Sequence, residues 1–151
     1  MKILSYIASS LFFMWSVNYS DLQTCREHYI KASMDKSMCE KMIKYLEGEK
    51  NKLPIYLGYL GGYQTIWATH VFNPITKLNT FNKGRRNIEQ DIQKEPNNVE
   101  LRFIRLSVQK NAPAFLDYHS NIKIDKEFIL KNRNQILSES MNSSIELLLK
   151  D

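Results

Sequence analysis

Apolar residues recur at intervals of three and four over most of the chain that follows residue 21. In residues 22–32 and again in residues 36–47, this spacing puts the apolar side chains on one face of a helix. The first set is Leu22, Cys25, Tyr29 and Ala32, and the second is Cys39, Met42, Ile43 and Leu46. Asp21 is a residue type that caps helix starts, and Gly48 is the type that ends helices. The pattern therefore predicts two helices joined by a short turn.

Residues 54–72 form the most aromatic segment and carry two stripes at helical spacing. One stripe is large and apolar, with Tyr56, Leu60, Tyr63, Trp67 and Val71, and the other is small, with Gly58, Gly62, Thr65 and Thr69. Each glycine costs a helix about 1 kcal/mol relative to alanine, which a closely packed neighbouring helix would offset. We therefore predict a buried helix. The alternatives are a helix broken at Gly61-Gly62 and a ligand groove, for sugar or peptide, lined by the tyrosines and Trp67.

Two prolines delimit the next predicted helix, residues 78–94. Asn73-Pro74 stops the preceding helix, because proline lacks a donor and restricts the residue before it. The apolar face comprises Leu78, Phe81, Ile88 and Ile92, and Gly84 on the same face leaves room for a partner helix. Pro96 ends the helix, and Asn98 is placed to cap the one that follows.

Residues 99–109 fit two patterns. Leu101, Phe103 and Arg105 alternate as in a strand, whereas Val99, Phe103 and Leu106 have helical spacing. The helical neighbours and the Asn98 cap favour a helix. Arg102, Arg105 and Gln109 then share one edge. Such an arginine pair either grips a carboxylate or phosphate of a ligand or pairs with acids of an adjacent helix.

The remaining segments complete an all-α fold. In residues 111–118, predicted to be a loop or short turn, we expect Phe115, Leu116 and Tyr118 to fill the core. Residues 122–132 and 137–150 predict two more helices, the last with Leu137, Met141, Ile145, Leu148 and Leu149 inward. The sum is six or seven helices, arranged as antiparallel hairpins in a short tetratricopeptide-like solenoid or an irregular bundle.

Composition supports a helical protein and argues against a nucleic-acid partner. The 151 residues include only 5 Gly and 4 Pro, whereas all-β proteins need many tight turns. The net charge of +5 comes from 21 basic and 16 acidic residues, and these are interspersed. Binding of nucleic acid calls for a basic stripe with interleaved aromatics, so we expect no nucleic-acid partner.

Residues 1–20 have the pattern of a secretory signal peptide: Lys2, then an uncharged run with a short apolar centre at residues 11–15. A spanning helix usually needs ~20 predominantly apolar residues. We therefore predict that residues 1–20 are cleaved and that residues 21–151 form a single helical domain in the periplasm or cell envelope. One alternative is an uncleaved leader that holds the protein at a membrane. The other is a lipid-modified Cys25, which the preceding residues fit badly.

The titratable residues suggest little chemistry. Cys25 and Cys39 are either a disulfide, which an oxidising compartment permits, or two small buried thiols. No zinc-type spacing accompanies them, and His28, His70 and His119 are far apart in sequence. A nucleophile elbow, a P-loop, an HExxH helix and a dinucleotide loop are all lacking. We expect no cofactor and no metal.

Part of the chain resembles a degenerate tetratricopeptide unit. Gly84, Ile88, Asp91 and Pro96 fall at second-helix positions of that repeat, and residues 94–98 resemble the link between repeats. Ile88 and Asp91 depart from the usual aromatic residue and alanine, the first-helix signature is not matched, and no second copy is visible.

Residues 73–118 also resemble an uncharacterised family of short exported all-α proteins. The matching residues are Asn73, Pro74, Leu78, Phe81, Lys83, Gly84, Pro96, Asn97, Glu100, Arg102, Phe103, Arg105, Pro113, Phe115, Leu116 and Tyr118. The resemblance implies an exported helical protein. It brings no assigned activity and no catalytic residues.

Three functional hypotheses follow. The first is a non-catalytic helical interaction module that binds a peptide or protein partner; its candidate contact residues are Tyr63, Trp67, His70, Arg102 and Arg105. The second is an envelope-associated hydrolase, for which His70 with Glu100, or Tyr63 with Arg102, are the candidate pairs. The third is a membrane-surface protein held by an uncleaved leader.

Overall fold

The structure is a computed structural model that describes residues 19–48, 53–136 and 138–150. These residues form seven α-helices and three short 3₁₀ turns, and none of them lies in a strand. The helices are α1 (Tyr19–Tyr29), α2 (Lys36–Gly48), α3 (Pro54–Thr69), α4 (Pro74–Lys94), α5 (Val99–Asn111), α6 (Ile122–Lys131) and α7 (Glu139–Leu149). The predicted all-α fold is confirmed.

Asparagine side chains cap the starts of α4 and α5. The side chain of Asn73 accepts from the N–H of Thr76 at 3.0 Å, and Pro74 occupies the first turn of α4. The prediction that α4 starts near residue 78 was therefore wrong by one turn, because Pro74 ends one helix and opens the next. Asn98 caps α5 as predicted, accepting from the N–H groups of Glu100 and Leu101.

The beginning of the described chain also differs from the prediction. Helix α1 starts at Tyr19, so Asp21 lies within the helix and not at the predicted cap position. Ala32 belongs to a separate 3₁₀ turn, Lys31–Ser33. The predicted signal peptide falls mostly on residues 1–18, outside the described residues, and stays a prediction. Among the described residues, no helix has both the length and the hydropathy needed to cross a membrane.

Helix α3 is the centre of the molecule and contacts α1, α2, α4 and α5. It continues unbroken through Gly61 and Gly62, so the broken-helix alternative was wrong. Tyr56, Tyr59 and Tyr63 are buried, and the ring of Tyr29 packs edge-on against Tyr59 and Tyr63 at 5.7 and 5.5 Å between centroids. The tyrosines of this segment are therefore core residues and not the lining of a groove.

The close helix approach predicted from the small residues lies between α3 and α4. Gly58 faces Asp91, Gly61 faces Ile88, and Thr65 faces Gly84, so residue numbers rise along one helix as they fall along the other. A Cβ atom at Gly84 would stand 2.5 Å from the carbonyl oxygen of Gly61. The prediction for Gly84 is thus confirmed. The glycine opposite it, Gly61, was not part of the predicted stripe.

Helices α5, α6 and α7 close the other side of the molecule. Helix α6 runs antiparallel to α5, with Arg105 paired to Asp125 and Gln109 paired to Asn121. In α7, Met141 and Ile145 are buried as predicted, Leu148 and Leu149 are half-buried, and Leu137 lies outside the described residues.

The two cysteines are buried, free thiols. The thiol of Cys39 donates to the carbonyl oxygen of Tyr63 at 3.4 Å, and the Tyr63 hydroxyl donates to the carbonyl oxygen of Cys25 at 2.7 Å. The structure therefore does not contain the disulfide that we considered, and both residues instead join α1 and α2 to α3.

Candidate binding groove

An open cavity of about 820 Å³ lies where the second half of α3 meets the first half of α4. Its remaining walls come from the end of α1, the end of α5 and the 3₁₀ turn Ala114–Leu116. The apolar side chains of this groove include Ile66, Leu78, Phe81, Val108, Phe115 and Leu116. Its size is that of a cleft that binds ligands or short segments of a partner.

The hydroxyl groups in the groove wall are already engaged. Thr65, Thr69 and Ser107 each donate to a carbonyl oxygen three residues earlier in their own helix, all at 2.7 Å. Ser33 does the same to Ile30 at 2.9 Å. Because these donors are used locally, the wall presents little hydrogen-bonding capacity and is more apolar than its residue types suggest.

Lys77 is the one charged residue among those that line the groove, and no carboxylate is included. It is exposed in the first turns of α4. The backbone N–H of Lys77 donates to the carbonyl oxygen of Asn73, but its ammonium forms no ion pair within the part of the chain that the structure describes. The groove therefore offers one uncompensated positive charge at its edge.

Large apolar residues at the rim are exposed. Phe115 is 83% exposed, so the prediction that it fills the core was wrong. Leu78, which we placed on the apolar face of its helix, is 44% exposed. Just before and at the start of α4, Phe72 is 96% exposed and Ile75 is 72% exposed. Leu78 and Phe115, which both line the groove, form its apolar rim.

Backbone geometry explains the exposure of Phe115. The 3₁₀ turn ends at Asp117, which adopts a left-handed conformation with φ of 46°. Tyr118 is turned inward, where its hydroxyl donates to Glu89 at 2.6 Å, and Leu116 is half-buried. Phe115, on the opposite side of this turn, is left facing solvent. The sequence predicted the inward position of Tyr118 correctly.

The five residues proposed from the sequence as partner contacts are not among those that line the groove. Tyr63 is buried and bonded to Cys25, as described above. Trp67 is half-buried, with the Lys36 ammonium 5.4 Å from its ring centroid. The Nε2 atom of His70 lies 3.0 Å from the carbonyl oxygen of Ala32. The structure thus gives these three residues of α3 contacts with the segment that contains α1 and α2.

Arg102 and Arg105 are paired within the chain. Both nitrogens of one edge of Arg105 donate to Asp125, at 2.6 and 2.7 Å, and a third donates to Glu89 at 2.9 Å. Arg102 donates to Asp125 at 3.1 Å and to the carbonyl oxygen of Pro96 at 2.8 Å. Burial lowers the pKa of Arg105, but its bonds with Asp125 and Glu89 outweigh this and raise the pKa overall. Of the two roles left open above, the structure shows pairing with acids of adjacent helices.

A second, smaller cavity of about 310 Å³ lies near the start of α5, beside Arg26 and Glu100. Arg26 donates to both oxygens of Glu100, at 2.7 and 2.8 Å, and the Tyr59 hydroxyl donates to the same carboxylate. Burial raises the pKa of Tyr59, and the charge of Glu100 raises it further, so this phenol stays a donor. Glu100 is fully engaged in holding α1, α3 and α5 together.

The candidate catalytic pairs do not meet. Glu100 contacts Tyr59, whereas His70 lies eleven residues further along the axis of α3 and its C-cap, about 16 Å at 1.5 Å per residue. Tyr63 bonds to Cys25 and Arg102 to Asp125. Within residues 19–48, 53–136 and 138–150, no group of three His, Cys, Asp or Glu side chains is placed to hold a metal ion.

One signal for the groove was present in the sequence. Phe72, Ile75 and Leu78 recur every three residues across the Asn73-Pro74 stop, but we interpreted Leu78 only as part of the apolar face of its helix. Comparison with protein-family models, curated proteins and solved structures finds no match for this chain. Function must therefore be argued from the groove itself.

Proposed function

We propose that this protein is a non-catalytic helical interaction module that binds a peptide or protein partner in the groove between α3, α4 and α5. The observation that carries the proposal is the apolar groove of about 820 Å³ with Phe115 and Leu78 exposed at its rim. Contiguous exposed apolar surface of this kind marks interaction sites, because water disfavours it.

The extent of the exposed apolar surface favours a large partner over a small ligand. Phe72 and Ile75 lie outside the residues that line the groove and are strongly exposed. A small molecule seated in the groove would leave both side chains in water. A protein or peptide that continues past the groove would cover them, and large aromatic side chains are often the main contributors to such contacts.

We propose further that the module acts in the periplasm or cell envelope. The support for export is the signal-like pattern of residues 1–20. Mass spectrometry of the protein from an envelope fraction tests this, because a cleaved chain should begin near Ser20 or Asp21. Recovery of intact Met1 from the membrane fraction would contradict cleavage and favour an uncleaved anchor.

Affinity capture from envelope extract with matched variants tests the interaction. Leu78→Glu places a charge at the groove on a side chain already 44% exposed, so the fold should tolerate it. Ile124→Glu is the control, since Ile124 is 58% exposed on α6 and does not line the groove. We expect a partner that the wild type and Ile124→Glu retain and that Leu78→Glu depletes at least tenfold.

Two results would contradict the proposal. One is recovery of no specific protein with any of the three baits. The other is a partner retained equally by Leu78→Glu, which would move the interaction surface elsewhere. Circular dichroism of each bait shows whether the helices are intact and keeps a folding defect from being read as lost binding.

A further inference from the structure

A segment can bind in the groove only if its backbone N–H and C=O groups are hydrogen-bonded within the segment itself. The three main walls come from helices, whose backbone groups bond internally except in the end turns. Thr65, Thr69 and Ser107 direct their hydroxyl hydrogens to their own helices. An extended peptide in this apolar groove would leave buried N–H and C=O groups without partners, at a cost of about 1–3 kcal/mol each. A helix brings its hydrogen bonds with it.

The charge at the edge specifies the partner further. Lys77 follows Pro74 on the stretch of α4 that lines the groove, and no carboxylate accompanies it there. Its ammonium forms no ion pair among the described residues. A partner that carries an acidic side chain beside its apolar face would compensate this charge, and one that carries a base would be repelled.

From these observations we propose that the occupant of the groove is an amphipathic helix of a partner protein, with an acidic side chain that pairs with Lys77. The inference rests on the proposed function and specifies the class of partner that the interaction module binds. The part of α4 that lines the groove extends from Pro74 to Phe81, about 12 Å or two helical turns. Apolar residues spaced by three and four over two to three turns of the partner would fill it.

The same surface differs from one suited to a lipid bilayer. Phe72, Ile75 and Phe115 are strongly exposed, but a flat bilayer would leave the groove between α3 and α4 unfilled. A helix lying there would fill the groove and cover its exposed rim together. The rim and the groove are therefore explained by one occupant.

Selection from a phage-displayed library of 16-residue helix-forming peptides tests the proposal. Peptides selected on the wild type should share apolar residues at i, i+3 or i+4 and i+7, with Asp or Glu at one fixed flanking position. Selection on Lys77→Glu should replace that acid with Lys or Arg. A wild-type-selected peptide should bind Lys77→Glu at least tenfold more weakly, and should bind Lys123→Glu, an exposed control on α6, within twofold of wild type.

The other outcomes separate this inference from the function on which it rests. Peptides whose binding is lost in Leu78→Glu but that show no acidic preference overturn the role of Lys77 and leave the interaction module standing. If no helical peptide is selected while envelope capture yields a partner lost in Leu78→Glu, the helix is overturned and the module stands. Binding to vesicles of three parts phosphatidylcholine to one part phosphatidylglycerol, weakened by Phe72→Ser and without peptide binding, overturns both in favour of a membrane surface.

Discussion

The carboxyl group of Asp91 is buried in the interface between α3 and α4. Its Oδ2 atom accepts from the N–H of Gly58 at 2.7 Å, an approach that the missing side chain of Gly58 permits. Its Oδ1 atom has no hydrogen-bond partner among the residues that the structure describes. Burial raises the pKa of Asp91 to about 6, although the bond from Gly58 opposes the shift; Glu95 adds to it and Lys94 reduces it.

This pKa predicts that the protein loses stability as the pH rises from 4 to 6. The unfolded chain gives up the Asp91 proton near 3.8 and the folded chain near 6, so between these values the folded state holds more protons. By linkage the free energy of unfolding then falls with pH, by about 3 kcal/mol over the two units. Urea unfolding followed by circular dichroism at pH 4 to 7 measures the fall.

Asp91→Asn should remove most of this pH dependence, because the amide oxygen can still accept from Gly58 and nothing titrates. The exposed carboxyl of Glu40, whose pKa is lowered by its bond with Lys44, supplies the comparison: Glu40→Gln should leave the slope near that of the wild type. An unchanged slope in Asp91→Asn would show that other groups cause the pH dependence.

Among individual residues, the sequence predicted helix caps better than side-chain pairs between helices. Asn98 was identified as a cap because the mechanism is local, within three residues. The pairing of Arg105 with Asp125 joins residues 20 apart, and no spacing rule distinguishes it from an arginine that faces a ligand. The exposed position of Phe115 depends on the left-handed conformation of Asp117, for which the local sequence gave no glycine signal.

At the scale of elements, the crossing of α3 and α4 depends on contact between two backbones. The Cβ atom of an alanine at position 84 would lie 2.5 Å from the carbonyl oxygen of Gly61 and 2.9 Å from the N–H nitrogen of Thr65. Both are backbone atoms of a helix packed on several sides, so they cannot move without separating the helices. This interface also forms one wall of the groove.

We therefore predict that Gly84→Ala destabilises the protein by about 1–3 kcal/mol, the usual cost of overpacking, despite a gain of about 1 kcal/mol in helix propensity. Thermal or urea unfolding measures the change. Gly48→Ala is the matched control, because its Cβ atom would meet nothing within 4 Å, and it should be neutral or slightly stabilising. Equal behaviour of the two variants would show that α3 and α4 can move apart freely.

The elements themselves were largely predictable, and their boundaries less so. Strong periodicity and few turn residues identified the helices from residue 22 onward, and Pro74 and Pro96 located two of their limits. The error at the start of α4 arose because one proline both stops a helix and starts another. The groove was missed for a different reason. It forms where α3, α4, α5 and the turn after α5 pack together, and the periodicity of a single helix does not show which other elements it contacts.

At the scale of the whole molecule, the two cysteines lie where the first hairpin, formed by α1 and α2, is attached to α3. Cys25 and Cys39 are fully buried, and both lie where α1 and α2 pack on Tyr63 of α3. Burial also raises the pKa of Cys39 to about 12. At pH 8 this leaves roughly one Cys39 thiol in 10,000 as the reactive thiolate. A reagent can reach either thiol only if α1 or α2 leaves α3.

We predict that a thiol reagent at pH 8 labels the native protein at least a thousandfold more slowly than a free cysteine, because opening must precede reaction. In 6 M guanidinium without reductant, two thiols per chain should react at once. The urea dependence of labelling should match that of global unfolding, since α1, α2 and α3 share one core. Fast labelling that does not depend on urea would show that the first hairpin opens alone. If no thiol reacts in guanidinium, both cysteines are oxidised, and the expectation of two buried thiols is contradicted.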